Sequence, residues 1–559
     1  MDLDRRAFMG GAILASGLAA ACRPSEASPV GASVEPLPAR DVLDPLRTYI
    51  KEHLAAWGLP GMTLAVVTRD GYEGIVTAGL ADVERNTPVA PDDLFQIGSV
   101  SKMFTALAAW SLIDEGLLSP ETKLLEALKG LQVRGGQDIR LQHLLNHTSG
   151  LPSDSAVFLE GGLWTGFTPG SDWSYSNCGY ELAGKVAAAA DGRPYPEMLK
   201  ARVLDKIGMD NAVAALRVAD RPRYAKGYEP ALTDRLNPVP TDMAPTPWVD
   251  SDSPAGSIAA TPGDMAKFLR FLLDLADGKG GGVFSDETAT RFMADPVKGW
   301  GGTSSYGNGT ARVEVNGRNY LHHTGGMVSF CSSLHVDPEA GVAAFASTNV
   351  HYSLDYRPKH VTLFACELMR AMMAGEPAPV PKPPRAPLDT PEQYAGTFTA
   401  VDGDRFEIAV AKGELRLRKN GRDNLLQRAA GNLFATAEPD HAVTGVVIET
   451  GNGRPVRAWC GEKEYVVETS DGYRPDSPEA LRVLAGRYDN DDRWGGPLYV
   501  YVRDNKVLIG NLQELTPLKN GIWRYGDESS PERVRFDGYI NGVPQRLIFS
   551  GTPFVRRFS

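Results

Sequence analysis

Between residues 374 and 388 the chain reads Ala-Gly-Glu-Pro-Ala-Pro-Val-Pro-Lys-Pro-Pro-Arg-Ala-Pro-Leu. Proline fixes φ and removes a backbone donor, so six prolines in eleven positions hold neither a helix nor a strand ladder. Residues 373–389 therefore read as a semi-rigid linker, and the two sides must fold around separate cores. The total of 559 residues is in any case too long for one core.

Beyond the linker, one pattern occurs twice. Tyr394-Ala395-Gly396-Thr397-Phe398 matches Leu484-Ala485-Gly486-Arg487-Tyr488, and Phe406–Val410 matches Leu498–Val502. Glu414–Leu417 then answers to Lys506–Ile509, and Leu433-Phe434 to Ile522-Trp523, at an offset close to 90 residues. Short alternating strands at even spacing, with Gly/Asn/Asp turns, predict two small antiparallel, lipocalin-like β-barrels over 390–475 and 478–559.

Upstream, residues 40–372 mix periods. An amphipathic helix over Pro45–Trp57 leads into a strand at Met62–Val67, closed by Asp70-Gly71. From Ser101 the spacing turns helical, with Met103, Phe104, Leu107, Trp110 and Ile113 on one face until Gly116. Further helices are expected at Leu141–Asn146, Tyr180–Ala190 and Asp264–Leu275, and strands at Arg312–Val315 and Ser333–Ser347. Strands at both ends with helices between predict an α+β domain whose sheet is closed by the late strands.

The first 29 residues read as an address. Arg5-Arg6 precede an apolar Gly10–Ala21 stretch too short to span a bilayer, which resembles a twin-arginine export signal. It ends Leu18-Ala19-Ala20-Ala21-Cys22, similar to a lipoprotein box that would make Cys22 a lipidated first residue; a plain cleavage site is the other reading. The expected location is the periplasm, with a lipid anchor at Cys22. Folding before export would leave Cys178, Cys331, Cys366 and Cys460 as free thiols. A net charge of −11 without a basic run beyond the leader excludes a nucleic-acid partner.

The chemistry starts at Gly98-Ser99-Val100-Ser101-Lys102, at the head of the predicted helix. A serine there meets unpaired backbone N–H groups and the positive dipole end. Lys102 lies one turn along on the same face, and a desolvated lysine so placed serves as a base. Tyr175 and Asn177 would share a side of an extended segment, as would His323 and Gly325. His322 would point away. His143 and His147, four apart, lack a third ligand, so no metal or other cofactor is expected. The Asp491–Gly496 loop is the barrel segment best placed to reach the catalytic cleft.

S-x-x-K at Ser99, Y-x-N at Tyr175 and H-T-G at His323 occur in that order, with Leu144-Leu145-Asn146-His147-Thr148-Ser149-Gly150-Leu151 between the first two. Over residues 42–370 the chain resembles the serine β-lactamase and penicillin-binding superfamily, nearest its class C, D-aminopeptidase and esterase branch. The two barrels resemble D-aminopeptidase accessory domains. The resemblance implies that Ser99 is the acylated nucleophile, with Lys102 and Tyr175 as the proton-transfer pair, either of them the base. It implies that Asn177 orients substrate and Lys102, that the N–H groups of Ser99 and Gly326 form the oxyanion hole, and that Gly325 lets substrate pass close.

One departure shapes the expected substrate. Family members that bind a substrate carboxylate usually carry Lys where this chain has His323, which is mostly neutral at pH 7. Peptide or amide hydrolysis, on short or D-residue peptides, is thereby favoured over carboxypeptidase or β-lactamase action. A β-lactamase-like carboxylesterase and an inactive ligand-binding homologue stay as alternatives.

Overall fold

A computed structural model of the chain describes residues 42–159, 161–299, 304–492, 494 and 496–557. The export segment and Cys22 lie outside the described residues.

The upstream domain is built on a nine-stranded antiparallel sheet. Its main strands are β1 (Gly61–Thr68), β2 (Glu73–Asp82), β3 (Thr310–Val315), β4 (Arg318–Gly326), β5 (Cys331–Asp337) and β6 (Val342–Thr348). They run in the order β3-β4-β5-β6-β1-β2, with short strands at both edges. The late strands thus close onto the first one: β6 pairs with β1, Ala65 opposite Phe345. Both are buried along their whole length, which is why they read as near-continuous apolar runs. The single late strand expected over Ser333–Ser347 is two strands, β5 and β6, turned at 338–341.

Helix α1 (Leu43–Trp57) and helix α5 (Lys359–Ala374) pack on one side of the sheet. Helix α4 (Pro262–Ala276) packs against β1 and β6, started by Thr261, whose side chain accepts the Asp264 N–H. Helix α2 (Ser101–Asp114) packs against α3 (Asn177–Asp191). The one-sided stripe expected for α2 is wrong: every residue from Ser101 to Ile113 is buried, because the helix is enclosed by its neighbours all round. Its stop is as expected, with Gly116 in the left-handed region at φ +74°.

The proline-rich segment is pinned to the upstream domain. Tyr49 Oη donates to Lys382 O at 2.7 Å, Trp57 Nε1 donates to Pro384 O at 3.0 Å, and Arg385 lies over the Trp57 ring. Two closed eight-stranded antiparallel barrels follow, over Gly396–Val466 and Gly486–Arg557, each with its strands in sequence order and its own core. The second barrel also reaches out: Trp494 belongs to the core of the upstream domain. The four cysteines of the described residues are buried and form no disulfide. Among the described residues no helix is long and apolar enough to cross a membrane.

Candidate active site

Ser99 sits in a 3-10 turn, Gly98–Val100, that runs directly into α2. The turn is pressed against the end of β4, and glycines make the approach possible. Gly98 has φ +56°, and a Cβ on it would stand 2.6 Å from Gly326 N. A Cβ on Gly325 would stand 2.0 Å from Ile97 O. The space left by Gly325 is therefore filled by the chain's own Ile97 carbonyl. Ser332 Oγ also donates to that carbonyl, at 2.7 Å.

Lys102 is buried, and its Nζ meets three partners: Ser99 Oγ at 3.0 Å, Asn177 Oδ1 at 2.6 Å and Ala255 O at 2.9 Å. The last two can only accept, so they take two N–H groups. The nitrogen also lies within hydrogen-bond distance of the serine hydroxyl. The Tyr175 ring completes the pocket, its centroid 4.8 Å from Nζ. Ser176 is the extended N-cap of α3, its Oγ accepting from Gly179 N, so Asn177 is the first helical residue rather than part of a strand. The helix expected from Tyr180 starts three residues earlier for this reason.

His323 is buried on β4 with both ring nitrogens engaged: Nδ1 with Thr324 O at 2.7 Å, Nε2 with Tyr306 Oη at 3.1 Å. A carbonyl only accepts, so Nδ1 carries the proton and the Tyr306 hydroxyl donates to Nε2. Burial, with Lys102 nearby, pushes the imidazole down to about 3, so it is neutral. His322 does point away, stacking on His335 with centroids 4.2 Å apart.

His147, which the sequence offers in the Leu144–Leu151 stretch and as a possible partner of His143, packs against Tyr175 instead. Its ring lies 4.3 Å from the Tyr175 ring, and its Nδ1 accepts the Ser176 N–H at 3.0 Å. Burial, with help from Lys102, holds it well below the usual histidine range. His143 is turned to a different task, its Nδ1 accepting the Arg140 N–H, and no cluster of three metal-binding side chains occurs among the described residues. Tyr306, Asp154 and the Ala255 carbonyl also belong to the site. Tyr306 and Ala255 lie far along the chain, Asp154 lies three residues past the Leu144–Leu151 stretch, and no motif read in the sequence includes any of them.

The Beta-lactamase family profile matches residues 46–365. The chain belongs to the beta-lactamase family of serine hydrolases. It is similar to penicillin-binding protein 4 of Amycolatopsis lactamdurans, 28% identical over 367 residues, covering 62% of this chain and 94% of that protein. It is also similar to D-aminopeptidase of Gluconobacter oxydans, 25% identical over 463 residues, covering 76% of this chain and 82% of that one. An octameric penicillin-binding protein homologue from Pyrococcus abyssi shares the fold, with a TM-score of 0.53 at 20% identity over 76% of this chain and 99% of that one.

Trp494, a described residue of the Asp491–Gly496 segment, meets the family domain beside this site. Tyr352 Oη donates to Trp494 O, and the Tyr352 Cβ lies 3.1 Å from where a Cβ on Gly326 would be.

Proposed function

We propose that the chain is an exported hydrolase that opens amide bonds of short peptides, including those with D-residues, through an acyl-enzyme on Ser99. The observation that carries this reading is the buried Lys102 nitrogen held against Ser99 Oγ by Asn177 and Ala255.

Ser99 Oγ attacks the substrate carbonyl carbon while its proton passes to neutral Lys102 or to a Tyr175 phenolate. The negative charge on the carbonyl oxygen is met by the N–H groups of Ser99 and Gly326. Tyr175 hands a proton to the leaving amine, the C–N bond breaks, and the acyl group stays on Ser99. Water then attacks the ester, losing its proton to the same pair, and the carboxylate product leaves with Ser99 restored.

The amide preference is supported by His323. A neutral imidazole with both nitrogens spent inside the protein offers no cation to a substrate carboxylate. The similarity to D-aminopeptidase points the same way. Export rests on Arg5-Arg6 and the apolar stretch after them, and anchoring rests on Cys22. The unbridged cysteines accord with folding before export.

A substrate panel tests the proposal: D- and L-aminoacyl anilides and short linear peptides against nitrophenyl esters and a chromogenic cephalosporin. Turnover of anilides or peptides, abolished by Ser99→Ala, is the expected result. Turnover of esters alone would replace the peptidase reading by an esterase.

A further inference from the structure

The second barrel touches the reaction machinery through a continuous line of hydrogen bonds. Asn177, which accepts from Lys102 through Oδ1, donates through Nδ2 to Asp154 Oδ1 at 2.8 Å. An amide has one oxygen and one nitrogen, so Asp154 decides which of them faces Lys102. Asp154 Oδ2 accepts from Ser153 Oγ at 2.7 Å. The backbone N–H of Ser153 in turn donates to Glu532 Oε1 at 2.6 Å, and Glu532 lies in the second barrel.

The contact is built from both sides. Glu532 is 2% exposed, the Ser550 hydroxyl donates to its Oε2, and its own N–H donates to Ser530 Oγ at 3.2 Å. Pro531 O accepts from Trp164 Nε1 at 2.9 Å. Gly166 is bare because a Cβ there would stand 2.5 Å from Pro531 Cα. Residues 152–154 run beside the start of α3, with Ser176 Oγ donating to Pro152 O at 2.7 Å and Cys178 N donating to Ser153 O at 2.9 Å. A shift of Ser153 is therefore passed to the residues on either side of Asn177.

We propose that Glu532 is a positioning residue: through Ser153, Asp154 and Asn177 it holds Lys102 at reacting distance from Ser99, so full reactivity of the serine depends on the docked second barrel. The proposal rests on Ser99 being the nucleophile. Glu532 acts by accepting one backbone N–H, and losing that acceptor strands a buried donor and frees the 152–154 segment. Misplacement of a reacting group by about 1 Å costs on the order of a hundredfold in rate.

The test uses the full chain and a fluorophosphonate probe, measuring the inactivation rate at saturation, the half-saturating concentration and the labelled fraction at completion. Glu532→Ala should lower the saturating rate roughly ten- to a hundredfold, leaving the other two quantities near wild type. Glu532→Gln, whose side-chain oxygen still accepts the Ser153 N–H, should restore most of the rate. Gly166→Val, which pushes Pro531 away, should reproduce the alanine result should that variant not fold. A wild-type saturating rate in Glu532→Ala or Gly166→Val, or a fall only in the labelled fraction, would overturn this proposal alone. Absence of labelling in the wild type would overturn the Ser99 reading and this proposal with it.

Discussion

Lys102 Nζ and Ser99 Oγ are 3.0 Å apart in a site where both side chains are buried. That distance is short enough for direct proton transfer. Asn177 Oδ1 and Ala255 O hold the lysine from the other side, with its nitrogen against the serine hydroxyl.

Lys102→Ala should therefore abolish most reactivity while leaving Ser99 in place. A loss of about 10²–10⁴-fold in fluorophosphonate labelling rate is expected, the usual size of a general acid–base contribution. Stopped-flow or gel-based labelling with time reads it directly.

Gly98 and Gly325 allow the nucleophile turn and β4 to meet. Gly325→Ala would drive a Cβ into Ile97 O, and Gly98→Ala would strain a φ of +56° while meeting Gly326 N. Each should destabilise the fold by about 2 kcal/mol or more and depress labelling. Thermal melts by circular dichroism, with labelling at a temperature below the melt, separate the two effects.

Acid should unfold the protein through its histidines. Burial lowers His53 and His323 to about 3 and His322 and His441 to about 4, and also holds His147 and His335 well below the usual histidine value. From pH 6.5 downward the unfolded chain takes up protons that these folded-state imidazoles refuse, so their contribution to stability is full above 6.5 and declines toward pH 3. Each such group contributes a slope of about 1.4 kcal/mol per pH unit inside its window. Burial raises the carboxyls of Asp93, Glu181, Asp355 and Glu462, which oppose this between the usual carboxyl range and their raised values, but the histidines outnumber them. Melting temperature should fall from pH 7 to pH 4, and His323→Gln should flatten the fall.

The barrels are structural partners of the family domain. Trp494 fills part of its core, and Glu532 caps the Ser153 N–H. Truncation of residues 390–559 should thus cost folding or activity, rather than simply open the cleft to larger substrates. Trp494→Ala in the full chain should lower stability by about 3–5 kcal/mol, read as a shift in the denaturant midpoint.

Much of this was legible in the sequence wherever the information is local. The proline run and the Ser99, Tyr175 and His323 motifs each sit within a short stretch, the barrel repeat shows as short matched segments about 90 residues apart, and the order of the three motifs carries the family resemblance. Helix α5 is not among the elements expected from the sequence, although its residues Val361, Leu363, Phe364, Leu368 and Met369 are buried. What spacing cannot show is which distant residue completes a pocket. Tyr306 reaches His323 from another strand, and Ala255 contributes a backbone carbonyl, a group every residue owns. The reach of the second barrel is invisible for the same reason: nothing around Glu532 marks it as a partner of Ser153.

The most direct test is to locate the covalent adduct. The protein is labelled with a fluorophosphonate, digested and sequenced by mass spectrometry, with Ser99→Ala as control. The expected result is a single stoichiometric adduct on Ser99, absent from the variant. An adduct on another residue, or an unlabelled Ser99 in folded protein, would contradict the account.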